Sequence, residues 1–418
     1  MVVTNTPNDT VDPNIAISPN APHQLPQLVD TITAQTKAYN DGDAEARLKL
    51  VEAAQSLIYA LETPREAMLR YCWAQSTAFY AIEVGIDLGL FSLLAHSEQP
   101  KPVSELASRS GAEPALVGRI LKHLAAVGVV TETGMDEYQA TRLSTTLAIK
   151  RFSDAWPFIS GGCHSALQAL PAYLRQTNYR DPTDGHNAPF QMGYRTDKPF
   201  FEYIHSPSSG PALATQFNNF MSVYHQGRPS WMDKGFYPVQ ERLLDGARTG
   251  DEDVLLVDVG GNKGHDTDEF RSKWPGTGGR LVLQDIPAVL DEAEGLNGVD
   301  VMAHDFFTEQ PVKGARAYYL HSVLHDWPDS SCQIILSKLV GAMTPGYSKI
   351  LINENIIPDT GAHWQATGLD MIMMVDVAAR ERTERQWREL VESVGLKIVD
   401  IWTVRSSVES LIECELMS

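Results

Sequence analysis

The sequence predicts an α/β fold in which a mostly parallel sheet ends in an antiparallel strand and is preceded by a helical region. After Asp251, short β-branched runs alternate with helix patterns, as in a parallel sheet buried on both faces. The last two runs are joined by about five residues, which is too short for a crossover and implies a hairpin. The runs are VLLVDV (254–259), RLVLQD (280–285), ARAYYLHSVL (315–324), SKILINE (348–354), LKIVDIWTV (396–404) and SLIECEL (410–416).

The 418-residue chain is long enough for two domains. Residues 1–24 are rich in Asn, Pro, Thr and Asp and are expected to form a disordered tail. Residues 25–150 have helical patterns, and residues 151–245 mix aromatic with polar residues, as in helices and loops over a cavity. Residues 246–418 carry the predicted sheet.

The helical region has two parts. A helix predicted over residues 65–94 is apolar nearly all round and must therefore be core or a subunit interface. Residues 101–141 have the order helix, turn, helix and two short strands, which is a winged-helix outline. A packing module is favoured over a DNA reader, because the second helix offers only Arg119, Lys122 and His123 as cations.

The composition excludes several classes of partner. Acidic residues number 53 against 34 basic ones, for a net charge of −19, and this negative field disfavours nucleic acid and anionic lipid. Four scattered cysteines without paired spacing indicate a reducing compartment, and we expect a cytoplasmic protein. Neither a signal peptide nor an apolar run of about 18 residues is recognised, so no membrane association is predicted.

A glycine-rich turn, VDVGGNKGHDTDEF (257–270), follows the first strand of the predicted sheet and opens a helix. Glycines at 260, 261 and 264 allow a sharp turn and close approach to a ligand at the carboxyl edge of an α/β sheet. The next strand ends in Asp285, where a carboxylate can accept hydrogen bonds from a ribose diol. The combination indicates a nucleoside-bearing cofactor.

The charges of the turn favour one cofactor over another. A dinucleotide site has the spacing G-x-G-x-x-G, whereas here the spacing is G-G-x-x-G, with Asp258, Asp266 and Asp268 nearby. These carboxylates would repel a diphosphate but suit a cation such as S-adenosylmethionine. NAD and a purely structural tight turn are the alternatives.

Six blocks, in order along the chain, resemble the plant caffeic acid type of O-methyltransferase and its fungal relatives. The resemblance covers nearly the whole chain. It implies a class I methyltransferase Rossmann-like sheet, with residues 25–150 as a dimerisation domain of a homodimer. The blocks are LLVDVGGNKGH, LVLQDIPAVL, HDFF, LHSVLHDWPD, ILINENIIPD and RERTERQW.

The resemblance also implies roles for individual residues. His325 would be the general base, with Glu354 and Glu381 orienting it. His321 stands where the plant enzymes usually have a cofactor-contacting lysine, and Lys263 within the glycine turn is also unusual. The cofactor residues implied are Gly260 and Gly261 for the methionine part, Asp285 for the ribose, Asp305 and Phe306 for the adenine, and His321.

The residue types suit methyl transfer to a phenol or enol, in which the acceptor oxygen must lose its proton. A histidine with the ordinary pKa of about 6.5 would accept that proton near neutral pH, and a carboxylate on the other ring nitrogen would hold the tautomer. For Glu381 a structural role in the loop is the alternative, since Thr383 and Gln386 form a capping box.

The acceptor is expected to be a flat, fairly apolar molecule such as a polyketide phenol, a pyridone or a flavonoid-like compound. Methionines on the predicted helix DMIMMVD can adapt to flat rings, and Met221 is placed near the reacting centre by the resemblance. The predicted substrate residues are Met221, Trp231, Asp326, Met371 and Met374.

Two hypotheses besides methyl transfer stay open at this stage, whereas a metal site is disfavoured. His304, His321 and His325 could suggest a metal, but they have strand-alternating spacing and lack a carboxylate–histidine helix motif, so no metal is predicted. Some fungal members of this fold keep S-adenosylmethionine bound and promote dehydrations or pericyclic reactions without giving up the methyl group. A winged-helix regulator that binds DNA is the second hypothesis.

Overall fold

The computed structural model describes residues 11–291, 296–404 and 409–417. The chain divides into two compact units, Met1–Trp156 and Pro157–Ser418. Of the predicted tail, the first ten residues lie outside the described part, and the rest contains two short 3₁₀ helices, Pro13–Ile17 and Pro22–Gln24. No helix in the described ranges combines the length and apolar character needed to cross a membrane.

The first unit is helical with a small antiparallel sheet in the strand order β1-β3-β2. Its helices are α1 (Leu25–Asn40), α2 (Ala46–Leu61), α3 (Pro64–Leu69), α4 (Ser76–Asp87), α5 (Leu90–Ala95), α6 (Val103–Ser110), α7 (Pro114–Ala126), α8 (Arg142–Thr146) and α9 (Lys150–Ser153), with a π-helical segment at Arg70–Gln75. Its strands are β1 (Lys101–Pro102), β2 (Val130–Gly134) and β3 (Glu137–Ala140).

The long helix predicted over residues 65–94 is not continuous. It begins at Pro64, where Thr63 and Glu66 form a capping box, and it is interrupted by the π-helical segment. At Gly89 the backbone adopts a φ of 65°, a left-handed conformation that glycine tolerates and that separates α4 from α5. The aromatic side chains of Tyr71 and Trp73 are exposed on this segment.

The second unit carries the large sheet. Its helices are α10 (Ala155–Gly162), α11 (His164–Gln176), α12 (Pro189–Tyr194), α13 (Phe200–Ile204), α14 (Leu213–Tyr224), α15 (His265–Lys273), α16 (Pro287–Leu290), α17 (Asp329–Val340), α18 (Trp364–Val377) and α19 (Glu384–Glu392). Its strands are β4 (Val254–Val259), β5 (Arg280–Asp285), β6 (Asp300–Ala303), β7 (Ala317–His321), β8 (Lys349–Ile357), β9 (Arg382–Thr383), β10 (Leu396–Trp402) and β11 (Glu409–Leu416). Pro207–Ser209 and Leu324–Asp326 are 3₁₀ helices, and Gln240–Leu244 is π-helical.

The strand order of the sheet is β10-β11-β8-β7-β4-β5-β6, with β9 paired to β8. The strands β4 to β8 pair in parallel, whereas β11 runs antiparallel to both β8 and β10. The predicted fold class, a mostly parallel sheet with an antiparallel last strand, is therefore confirmed. The short strands β6 and β9 were not predicted.

Both faces of the sheet are buried. On β7, Tyr318 and Leu320 pack into one core cluster with Leu336 of α17 and Leu390 of α19. Tyr319 faces the other way and packs with residues such as Phe270 of α15. Double-sided burial explains why the strands read as continuous apolar runs.

A third core of the second unit, the aromatic cluster, lies among α10 to α14 and the end of α18. Its aromatic members are Phe158, Phe190, Tyr194, Phe200, Phe201, Tyr203, Phe217 and Phe220. The carboxyl group of Asp376 lies at the same end of α18 and is 1% exposed. Burial raises its pKa to about 8, and the neighbouring thiol of Cys163 opposes this shift without cancelling it. The carboxyl is therefore mostly protonated at neutral pH.

Replacing Asp376 with asparagine is expected to stabilise the protein progressively as the pH rises from 6 to 8. In the unfolded chain the carboxyl of Asp376 has a pKa near 3.8 and has lost its proton in this pH range, whereas the folded protein keeps that proton. The free energy of unfolding of the wild type therefore falls by up to about 1.4 kcal/mol per pH unit. Asparagine does not titrate and removes that loss. Urea denaturation at pH 6 and pH 8 would measure the difference in free energy of unfolding between the variant and the wild type, with exposed Asp359→Asn as the control. A difference that does not change with pH would contradict the prediction.

Candidate active site

The glycine turn lies between β4 and α15, as predicted. Gly260 and Gly264 have φ values of 74° and 81°, which favour glycine. A Cβ at Gly261 would lie 2.4 Å from the carboxyl carbon of Asp258, and one at Gly260 would lie 3.1 Å from Val323. The second contact places the glycine turn directly against the segment that carries His325.

Asp285 ends β5 beside this turn. Its two carboxylate oxygens accept hydrogen bonds from the backbone N–H groups of Asn262, at 2.9 Å, and Ile286, at 2.7 Å. Burial raises the pKa of Asp285, while the two N–H groups lower it. Each oxygen retains a further lone pair, so the side chain is fixed and still able to accept hydrogen bonds from a diol.

Asp305 and Phe306 lie on the loop after β6. Asp305 accepts a hydrogen bond from the backbone N–H of Phe307 at 2.9 Å, which fixes the loop. The ring of Phe306 would be 3.5 Å from a Cβ at Gly260, and it meets Trp327 edge-on with 5.9 Å between ring centres. Phe306 therefore forms an apolar wall beside the glycine turn, as an adenine or thioether site requires.

Asp258 and Asp266 give the turn its charge character. The Oδ1 atom of Asp258 is buried and has no hydrogen-bond partner among the described residues. Burial raises the pKa of Asp258 to about 8, helped by the charge of Asp266. A buried acceptor without a partner is costly, and a cationic ligand would supply the missing donor. This observation fits the ammonium of S-adenosylmethionine better than a diphosphate.

His321 belongs to a charged network that the sequence analysis did not predict. Its Nδ1 lies 2.6 Å from Asp266, and its Nε2 lies 3.6 Å from Glu409. Glu409 also faces Nδ1 of His225 at 3.1 Å and pairs with Arg228. Burial lowers the pKa of His321, but the charges of Asp266 and Glu409 outweigh it and hold that pKa well above its usual range. His321 is therefore a cation, like the lysine it replaces.

Two features of the sequence could have pointed to this network. Glu409 is a carboxylate at the start of a buried strand, where charge needs a partner, and it is 5% exposed. The segment YHQGR places His225 and Arg228 three residues apart. Nothing in the local pattern connects them to each other, because the contacts join residues about 180 positions apart.

His325 lies in the 3₁₀ turn Leu324–Asp326 after β7 and is 5% exposed. Its Nδ1–H donates to Glu381 at 2.7 Å. Its Nε2 is 3.6 Å from Asp326. The two predicted partners, Glu354 and Glu381, both lie next to His325, but they make different contacts.

Glu354 holds the backbone of the turn and Glu381 holds the ring. One oxygen of Glu354 accepts hydrogen bonds from the backbone N–H groups of residues 323, 324 and 325, at 3.0, 2.8 and 3.3 Å. Its other oxygen is 3.8 Å from Nδ1 of His325. The backbone N–H of Glu381 donates to Asp370 at 2.9 Å, which anchors the carboxylate that faces the ring.

The surroundings of His325 shift its pKa away from the ordinary histidine value of about 6.5. Burial lowers the pKa of its ring, but the charges of Glu354, Asp326 and Glu381 outweigh burial and raise the pKa to about 10. In turn, burial raises the pKa of Glu354 to about 7 and that of Asp326 to about 6. The group shares protons, so it titrates as a unit.

Replacing Glu354 with glutamine is expected to shift the pH–rate profile. For a base, kcat/KM rises with pH through the pKa of the free enzyme, so we expect the wild-type ascending limb to lie above pH 7. Glutamine keeps an acceptor for the turn but removes a charge that favours the imidazolium, which should lower the apparent pKa by about one unit or more. Profiles of kcat/KM against pH for the wild type and the variant would measure the shift in apparent pKa. Ascending limbs at the same pH in both proteins would contradict the prediction.

The predicted substrate residues are not all gathered at one place. Asp326 lies beside His325. Met374 packs at the edge of the aromatic cluster, Met221 is partly buried on α14, and Met371 is 42% exposed. Phe201 of the aromatic cluster stacks on Trp327 with 6.1 Å between ring centres, so this cluster reaches the turn of His325.

Trp231 occupies a different position from the one expected. It is 1% exposed, and its ring stacks on Phe270, with further contacts to Tyr237 and Tyr319. These residues belong to the core on the face of the sheet that carries α15. The structure therefore places Trp231 in this core instead of beside His325.

Two groups of described residues place histidine and carboxylate atoms within 4.8 Å of one another: His225, His321 and Glu409, and His325, Glu354 and Glu381. The raised pKa values keep His321 and His325 protonated at neutral pH. A protonated ring nitrogen offers no lone pair, so metal binding would have to displace a proton.

Comparison with known proteins identifies the family. A family model of the O-methyltransferase domain matches residues 252–397, and one of the O-methyltransferase dimerisation domain matches residues 66–150. The chain is 41% identical to methyltransferase cfoC of Aspergillus candidus over 91% of its own length and 93% of that protein. The chain belongs to the O-methyltransferase family.

Other O-methyltransferase relatives extend the comparison. Demethylsterigmatocystin 6-O-methyltransferase of Aspergillus parasiticus is 39% identical over 76% of this chain and 80% of that protein. Two solved structures, a pericyclic reaction enzyme and LepI in complex with S-adenosylmethionine, each superpose with a TM-score of 0.86 at 29% identity, covering 94% of this chain and 100% of theirs. The family fold thus includes a protein described by a reaction other than methyl transfer.

Proposed function

We propose that this chain transfers a methyl group from S-adenosylmethionine to a hydroxyl oxygen of a small aromatic or enolic secondary metabolite, with His325 as the general base. The observation that carries the proposal is the buried pair of His325 and Glu381, 2.7 Å apart, on a segment whose Val323 would be 3.1 Å from a Cβ at Gly260. The proton acceptor and the glycine turn therefore share one edge of the sheet.

The residues of the turn would hold the cofactor. Gly260 and Gly261 leave room for it, Asp285 would accept hydrogen bonds from its ribose, and the unpartnered oxygen of Asp258 would accept one from its ammonium. Asp305 and Phe306 would flank the adenine. The bound sulfonium supplies an electrophilic methyl group.

The residues around His325 supply the proton chemistry. Glu381 accepts a hydrogen bond from Nδ1–H, which directs the lone pair of a neutral ring to Nε2. The ring is protonated at neutral pH, so a reactive turnover starts when Nε2 gives up its proton. Nε2 then takes the proton of the acceptor hydroxyl, and Glu381 and Glu354 stabilise the imidazolium that forms.

The acceptor is inferred to be a flat oxygenated ring system. The aromatic cluster reaches the turn of His325 through the stacked pair Phe201 and Trp327, and apolar walls with few polar groups suit such molecules. The relative that acts on demethylsterigmatocystin supports this class. Met221, Met371 and Met374 are proposed contacts for the acceptor, together with Asp326.

We also infer a cytoplasmic homodimer. The match to a dimerisation domain over residues 66–150 supports the dimer, as do the exposed rings of Tyr71 and Trp73 at 54% and 66%, because exposed apolar patches mark interfaces. All four cysteines are unpaired, which fits a reducing compartment.

The direct test is a panel of phenols, hydroxypyridones and hydroxyflavonoids incubated with the protein and S-adenosylmethionine. Mass spectrometry should find S-adenosylhomocysteine in a one-to-one ratio with an O-methylated product. A panel that yields neither compound under any condition would contradict the proposal.

One observation favours a second candidate, a reaction that leaves the methyl group in place. His325 with a pKa of about 10 is an imidazolium at neutral pH, and a buried cation can stabilise negative charge or act as an acid in a dehydration or pericyclic reaction. The 29% identity to a pericyclic reaction enzyme supports it. In the same panel, an isomerised or dehydrated product without S-adenosylhomocysteine would favour this candidate.

A further inference from the structure

Arg382 is the residue after Glu381, on the short strand β9, where it pairs with Ile356 of β8. Its side chain is 0% exposed. A fully buried guanidinium is costly unless its donors are all matched by acceptors. The partners of Arg382 therefore indicate why a cation stands at this position.

Those partners are the carbonyl groups of the turn that carries the base. Nη1 donates to the carbonyl of Leu324 at 2.9 Å, and Nη2 donates to the carbonyl of Trp327 at 2.9 Å. These two residues bracket His325 and Asp326. The other N–H groups reach Asp329, with Nε at 2.9 Å and Nη2 at 2.8 Å.

The turn is thus held by fixed charges at both ends. Its N–H groups point to one carboxylate oxygen of Glu354, and its carbonyl groups point to the guanidinium of Arg382. Peptide dipoles are stabilised by an anion at the N–H end and a cation at the carbonyl end. The thiol of Cys332 donates to the same two carbonyl groups at 3.1 and 3.2 Å, but a thiol is a weak donor.

The two neighbouring residues 381 and 382 consequently fix the base in two ways. Glu381 holds the ring of His325 and Arg382 holds the backbone beneath it. We propose that Arg382 is a positioning residue that sets the direction of the His325 ring toward the acceptor by clamping the carbonyl groups of Leu324 and Trp327. This inference rests on the proposed function, because it assumes that His325 moves a proton during turnover.

A purely structural role makes a different prediction. Arg382 also lies over the ring of Trp387, 5.1 Å from its centre, so it contributes to the packing of α19. If packing were its whole role, a substitution would lower the melting temperature but leave kcat unchanged in protein that is still folded. Positioning predicts a loss in kcat with binding preserved, since misplacement of a reacting group by about 1 Å can cost about 100-fold.

The test is Arg382→Lys, which keeps the charge but cannot span both carbonyl groups. With an acceptor that the wild type methylates, we expect kcat to fall about 10- to 100-fold, while the acceptor KM and the cofactor Kd stay within about threefold. Hydrogen exchange of residues 322–329 should speed up. Arg385→Lys, on an exposed side chain paired with Glu389, is the matched control and should change none of these.

Asp329→Asn provides a second route if the lysine variant does not fold. Asp329 is 57% exposed in its side chain, and its loss should loosen Arg382 and lower kcat in the same direction, by at least about threefold. Unchanged kcat in folded Arg382→Lys, or in Asp329→Asn when only that variant folds, would overturn the inference. A wild type that forms no methylated product would instead remove the proposed function.

Discussion

Replacing His325 with alanine is expected to lower kcat for methyl transfer by at least about 100-fold, because general base catalysis typically supplies about 10² to 10⁴ in rate. The buried pair with Glu381 holds the ring in one orientation, and alanine has no group that could accept the proton in its place. Cofactor affinity should stay within about threefold, since the proposed cofactor contacts are made by the glycine turn and Asp285 and not by this ring. Steady-state kinetics and calorimetric titration with S-adenosylhomocysteine measure both quantities.

His186→Ala, at an exposed position, is the control for loss of a histidine. If His325→Ala keeps more than about a fifth of the wild-type kcat, the base assignment is wrong. If it loses cofactor affinity to the same extent as activity, the residue supports the site and does not act as its base.

Replacing Glu381 with glutamine is expected to lower kcat by about 10² to 10³. The carboxylate accepts a hydrogen bond from Nδ1–H, with 2.7 Å between the nitrogen and the oxygen, and would stabilise the imidazolium. An amide has no charge and can present an N–H group to the ring, which favours the wrong tautomer. The shape of the side chain is nearly unchanged, so the melting temperature should move far less than the rate.

Glu384→Gln is the matched control for Glu381→Gln. Glu384 lies three residues further along the chain, is exposed and pairs with Arg388 at 2.7 Å. Measuring kcat of both variants at several pH values would distinguish the effect of removing the charge from the effect of unfolding. An equal effect at the two positions would show that Glu381 has no special relation to the base.

The sequence was informative wherever a pattern repeats locally. Strands such as 254–259 and 280–285 were predicted with the bounds that the structure has, because a strand buried on both faces is a continuous apolar run. His325 and Glu354 follow or end such runs, but their proposed roles came from the family resemblance. Their grouping with Glu381 came from a family resemblance, since no local pattern joins residues 56 positions apart.

What the sequence did not reveal depends on long-range contacts. The pKa of His325 follows from three carboxylates that meet only in the folded chain. In the sequence, Arg382 is one of several charged residues in RERTERQW, and nothing there distinguishes it from the others. In the structure its side chain is completely buried. The network of His225, His321 and Glu409 and the core position of Trp231 likewise depend on which faces of the sheet are covered, and this is a property of packing.

The three N–H groups that converge on Glu354 also restrict how this protein can evolve. One side chain fixes the shape of the turn and the charge beside the ring, so a mutation there alters two properties at once. The methionines and aromatic rings of α14 and α18 set neither the shape of the turn nor the charge beside the ring. New acceptors should therefore arise through drift on those helices, while a lineage that changes Glu354 is expected to abandon the ancestral chemistry altogether.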